Sequence, residues 1–190
     1  MSDPLIYIEF TEAREGGLSN AKTDTASKYA WPQPPNYHTN KGITRETFER
    51  LGPILGYKPT YELFIEMPDV IFDKIFNHFW DESGAGLIDS QPIANLIFQS
   101  LWGGGHDELI KALQKYFGGE LKVDGYLGQK TADKVNSMCA KSHIYAKMLY
   151  EYLHKKRLDY LRSLSSYKAN GKGWEARMEK LYKFNITLMK

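Results

Sequence analysis

The sequence predicts a mainly α-helical protein with one long loop after its first helix. Three observations point there. Apolar residues recur at helical spacing through most of the chain. Ser, Thr, Asp, Gly and Pro stand where those helices would begin and end. The stretch from Leu18 to His38 shows no helical period and is rich in the residues that make turns.

The elements follow in order. Ser2-Asp3-Pro4 offers an N-cap with Pro in the first turn. Leu5, Ile8 and Glu12 then fall at helical spacing, and Glu15-Gly16-Gly17 ends the helix. Asn20, Asp24, Ser27, Pro32, Pro34, Pro35 and Asn36 mark the loop, and a loop of that length inside a compact domain is functional or disordered. A small irregular hairpin is the most sheet expected, near the segment 18–43. Thr44 caps a short helix carrying Phe48 and Leu51, with Gly52-Pro53 as its stop. Pro59 to Glu66 reads either as a helix or as an extended segment. Pro68 opens a helix with Ile71, Ile75, His78 and Phe79 on one side, ending near Gly84-Ala85-Gly86.

Asp89-Ser90 and Pro92 open the next helix, in which Ile93, Leu96, Ile97 and Leu101 make a continuous stripe and predict a central, buried element. Gly103-Gly104-Gly105 breaks it. Asp107 to Phe117 is amphipathic, Gln129 to Ala140 is a further helix, His143 to Tyr167 the longest, and Trp174 to Phe184 the last. The organisation expected is one domain over 1–190. Residues 1–105 would carry the site motifs, and residues 106–190 would pack on them as a helical region, because Gly103-Gly104-Gly105 is too short for a linker.

Composition removes several function classes. The formal net charge of +2 in 190 residues gives no concentrated basic surface, so nucleic acid is not an expected partner. Cys139 is the only cysteine, and the five histidines have no ligand spacing, so neither a metal nor another cofactor is expected. No stretch approaches the ~20 apolar residues of a membrane span, so stable membrane insertion is not expected. Asp3 and Glu9 flank and interrupt Leu5-Ile6-Tyr7-Ile8 with no basic region before it, which does not read as a signal peptide. Synthesis in the cytoplasm, with action after release or export, is the expectation.

Glu15-Gly16-Gly17 is the first motif that carries chemistry. An acid at the last turn of a helix sits on a rigid element, and the glycines behind it let backbone approach a substrate closely. Glycoside hydrolysis uses an acid held in that way with a second polar group across from it. The plain alternative is a C-cap beside a solvated carboxylate. Further on stand Thr39-Asn40-Lys41-Gly42-Ile43-Thr44, Val123-Asp124-Gly125-Tyr126-Leu127-Gly128-Gln129-Lys130-Thr131 and Gly173-Trp174-Glu175-Ala176-Arg177.

In this order the four motifs resemble glycoside hydrolase family 108, lysozyme-like N-acetylmuramidases also known as secretion activator proteins and phage endolysins. The resemblance runs from about Ile8 to about Tyr182. Lys41 replaces the Tyr usual in the Thr-Asn-Tyr-Gly-Ile-Thr signature. The later motifs resemble the region usually paired with the family and labelled a predicted peptidoglycan-binding domain. The resemblance implies a lysozyme-like helical fold, peptidoglycan glycan strands as the binding partner and no cofactor; a monomer is the expected state of the chain. It also implies Glu15 as the general acid, protonating the oxygen of the β-1,4 bond between N-acetylmuramic acid and N-acetylglucosamine. The alternative is a non-catalytic glycan-binding or secretion-accessory protein that keeps the fold.

Asp24 keeps the Glu-to-Asp spacing of phage-type lysozymes. It reads as the second carboxylate, or equally as an Asx-type turn residue. Thr39 is the third catalytic candidate, holding a water or a sugar hydroxyl. Between them lies a departure from the family, an insertion over 25–38 rich in Pro and aromatic residues. Trp31 and Tyr37 in it are substrate-binding candidates, since aromatic faces stack on sugar rings, or else they seal the core beneath the loop. Asn40 and Trp80 complete the substrate-binding candidates. Trp80 also reads as a ring packed between helices.

Overall fold

The structure, a computed structural model, describes residues 2–10, 17–22 and 24–189. Nine α-helices and one two-stranded hairpin make up its regular elements among the described residues, apart from short 3-10 turns. The mainly α, lysozyme-like class expected from the sequence is the class observed. The chain divides into two compact units, Leu5–His78 being the first, and Phe79–Lys190 together with Met1–Pro4 the second. Among the described residues no helix is long and apolar enough to cross a membrane.

The first unit opens with α1 (Pro4–Phe10), whose Tyr7 and Ile8 are buried. The end expected for this helix at Glu15-Gly16-Gly17 lies outside the described residues except for Gly17. A 3-10 helix spans Thr25–Tyr29. The hairpin follows as β1 (Thr39–Asn40) and β2 (Ile43–Thr44), antiparallel with Thr39 opposite Thr44 and Asn40 opposite Ile43. Its two turn residues, Lys41 and Gly42, both take positive φ (47° and 77°), as a tight two-residue hairpin turn requires.

Then come α2 (Arg45–Leu55), α3 (Tyr61–Glu66) and α4 (Asp69–Glu82), which runs on into the second unit. Phe48, Leu51, Phe64, Met67, Phe72, Ile75 and Phe76 form the core. The alternative left open for 59–66 falls to helix, with the Thr60 hydroxyl accepting from Leu63 N at its start.

Helix α2 runs past the stop expected at Gly52-Pro53 and ends at Gly56, in the left-handed region at φ 75°. Pro53 removes a backbone donor but leaves the following turn intact. Gly52 serves close packing instead. A Cβ there would lie 2.9 Å from both Pro59 Cδ and the Tyr57 carbonyl oxygen.

The second unit is built around α5 (Gln91–Trp102). Every residue from Pro92 to Ser100 is buried, and the helix touches α6 (His106–Tyr116), α8 (His143–Ser163) and α9 (Tyr167–Thr187). The sequence stripe therefore marks the centre of this unit. Helix α7 (Gln129–Lys141) packs on α8. Arg157, 1% exposed, closes the C-terminal end of α5. Its Nε donates to Gln99 Oε1 at 3.0 Å, and its guanidinium reaches the Gly103 and Gly104 carbonyls. A run of amides ties three helices together. Gln91 donates to Asn95, Asn95 to Asn185 (both 2.7 Å), and Asn185 to the Tyr150 hydroxyl at 3.1 Å.

The last two helices meet earlier than expected. α8 ends at Ser163, and Tyr167 already belongs to α9, which runs through Gly171 and Gly173. Gly171 lies under the Tyr167 ring, where a Cβ would come within 2.5 Å of Cε2, so this glycine permits a contact and does not break the helix.

Candidate active site

The chain after Gly17 runs along the hairpin: Ser19 N donates to the Thr39 carbonyl at 2.8 Å, and His38 N donates to the Ser19 carbonyl at 2.9 Å. The residues just after Glu15-Gly16-Gly17 are thus stitched to Thr39 by backbone bonds. Glu15 itself lies outside the described residues.

Asp24 is exposed and caps the 3-10 helix, its Oδ1 accepting from Ala26 N at 2.9 Å. That is the Asx-type role weighed for it, and it fixes one carboxylate oxygen; Oδ2 makes no bond in the cap. Thr39 is half-buried, and its hydroxyl lies 2.8 Å from His38 Nδ1. His38 is completely buried, and its Nε2 lies 3.2 Å from the Ala21 carbonyl oxygen. Sequence reasoning set His38 aside because it lacks ligand spacing. The signal available was its place immediately before Thr39.

The insertion is a structured element. Trp31 N donates to the Tyr37 carbonyl at 2.9 Å, closing a loop whose interior is held by Asn36 Nδ2 on the Trp31 and Pro32 carbonyls. Trp31 is 7% exposed. Its ring packs against Tyr61 and Phe64, and the Arg45 guanidinium lies 4.3 Å above it while donating to the Ala30 carbonyl. A guanidinium over an indole face is a favourable electrostatic contact. Among the described residues the Trp31 Nε1 finds no acceptor. Trp31 therefore anchors the insertion. Tyr37 is half-buried, and Tyr29 is the ring the insertion presents to solvent, 54% exposed.

The other substrate-binding candidates are held inside. Asn40 is 4% exposed, and its Nδ2 donates to the Phe64 and Ile65 carbonyls at 2.7 and 3.1 Å, closing the end of α3. Trp80, in the second unit, is 2% exposed and packs on Phe98. Lys41 extends along Phe72 and donates to the Met67 carbonyl and to Asp69 at the start of α4. Lys in place of Tyr thus makes its own anchor for the turn.

A concavity of about 350 Å³ lies between α6 and α8, lined by Leu109, Lys115, Tyr152, Lys156 and Tyr160 among others, and no sequence-predicted site residue lines it. Among the described residues no group of three or more His, Cys, Asp or Glu is placed to hold a metal ion.

Comparison with known proteins agrees with the family that the first two motifs, 15–17 and 39–44, resemble. The profile of the family Glycosyl hydrolase 108 matches residues 8–105, a span that includes Glu15, Asp24 and Thr39. Among solved structures, that of Brucella abortus SagA is similar, with a TM-score of 0.69 at 21% identity over 98% of this chain and 92% of that one. At that identity the likeness speaks for the fold. A search of curated proteins finds no match.

Proposed function

The chain belongs to the Glycosyl hydrolase 108 family, and from that premise we propose that it is a peptidoglycan hydrolase of the N-acetylmuramidase type. It cleaves the β-1,4 bond between N-acetylmuramic acid and N-acetylglucosamine. Glu15 protonates the departing glycosidic oxygen, and a water on the opposite face of the sugar ring attacks the anomeric carbon. Thr39 holds that water, and Asp24, through its Oδ2, takes up the proton the water releases as its oxygen bonds to the anomeric carbon. The partner is the glycan strand of the cell wall, reached after release or export, and the chain works as a monomer.

One observation carries this reading. The backbone pairing of Ser19 with Thr39 draws the segment that follows the acid motif against the Thr motif, two parts of the chain that sequence alone leaves a long insertion apart. The test is Glu15→Gln, which removes the proton donor at constant size. Loss of at least about 100-fold in the rate of clearing a peptidoglycan suspension is expected, with the thermal midpoint unchanged. Wild-type clearing by that variant points instead to a glycan-binding or accessory protein.

A further inference from the structure

We propose that His38 is a positioning residue that fixes the direction in which the Thr39 hydroxyl points. The inference rests on the reading of Thr39 as the group that holds the attacking water.

The argument is one of donors and acceptors. His38 Nε2 faces the Ala21 carbonyl at 3.2 Å, and a carbonyl only accepts, so Nε2 carries the proton. In the neutral ring Nδ1 is then a lone pair. Only one hydrogen bond fits the 2.8 Å separation from Thr39 Oγ1: the hydroxyl donates to Nδ1. The single proton of Thr39 is thereby committed, and the oxygen presents only lone pairs to whatever approaches it.

A water meeting that oxygen must donate to it. Its own lone pairs then point away from the protein, which is the orientation a nucleophilic water needs. Without the imidazole the hydroxyl rotates and donates to the water as readily as it accepts, turning the nucleophilic lone pair the wrong way. The ring is well placed to hold this state. It is fully buried, its backbone N–H is bound to the Ser19 carbonyl, and its carbonyl accepts from Arg45 N at 2.8 Å. It also joins Ala21, just beyond the acid motif, to β1.

A histidine bonded twice in a core would otherwise need no further role, so the test separates anchoring from orientation. An Asn side chain reaches the place of Nδ1 and can accept from Thr39, but gives up Ala21. A Gln side chain reaches the place of Nε2 and keeps Ala21, but gives up the acceptor. His38→Gln is expected to keep the thermal midpoint and KM on a soluble glycan-chain substrate while kcat falls about tenfold to a hundredfold. His38→Asn is expected to lower the midpoint and keep kcat. Equal kcat in both variants, or kcat that follows the midpoint, overturns the inference.

A second readout does not depend on turnover. In ¹⁵N-histidine spectra, Nδ1 of His38 is expected to be unprotonated and to shift on Thr39→Val. A protonated Nδ1 in an active wild type overturns the inference alone. A wild type that clears no peptidoglycan overturns the enzymatic reading beneath it.

Discussion

At the residue scale, Trp31 shows how an aromatic in a loop can serve the core. Its ring sits among Tyr61, Phe64 and the Arg45 guanidinium, with 7% of its surface exposed. Removing it empties the space on which the insertion rests. Trp31→Ala is therefore expected to cost about 3–5 kcal/mol, read from chemical denaturation. Trp31→Phe should cost clearly less. It keeps a ring under Arg45, and it discards an indole N–H that has no acceptor among the described residues, a group whose burial alone costs about 1–3 kcal/mol. If Trp31→Ala leaves stability unchanged and weakens glycan binding, the ring belongs to the substrate surface after all.

At the scale of elements, two histidines sit where helices join. His106 opens α6, and its Nδ1–H donates to the Ser100 hydroxyl, which itself donates to the Ile97 carbonyl. His154 lies on α8 and donates from Nε2 to the Met178 carbonyl of α9. Burial pushes both rings below their ordinary value of 6.5. Between the folded values and 6.5 the unfolded chain binds more protons than the folded one. The stability these rings contribute is thus present above about pH 6.5 and is lost as pH falls through their folded values. The thermal midpoint should fall between pH 7.5 and 5.5. The double variant His106→Asn, His154→Gln, which keeps both donors and cannot take up a proton, should show a shallower fall. An unchanged slope would assign the acid sensitivity to other groups.

At the scale of the whole molecule, the compact units divide after His78, well before the glycine run at 103–105. Helix α5 therefore belongs with α6 to α9. It supplies the buried stripe, the Asn95 partner of Asn185 and the carbonyls that Arg157 caps. A fragment over 106–190 keeps the faces of α6, α8 and α9 that pack on α5 but loses α5 itself, and leaves Asn185 and Arg157 with buried donors unmet. It is expected to lack a cooperative thermal transition in circular dichroism, whereas a fragment over 79–190 should show one. A folded 106–190 fragment that sediments with cell-wall sacculi would establish those helices as a separate binding module.

The sequence by itself determined the helical class, the central place of α5, the Thr44 cap and, through the motifs at 15–17 and 39–44, the family. These are local properties. Helical periodicity, a capping hydroxyl and a short motif are complete within a few residues, so they can be read without knowing what packs where. Tertiary structure decided the rest, because it depends on partners far along the chain. Asn40 looked like a sugar ligand until its amide met the carbonyls of Phe64 and Ile65, 24 and 25 residues away. Gly52 looked like a breaker, but it stands where Pro59 and the Tyr57 carbonyl leave no room for a Cβ. His38 carried no motif at all. What it does follows from lying between Ala21 and Thr39, and only the fold of the loop onto β1 puts a lone pair within reach of that hydroxyl.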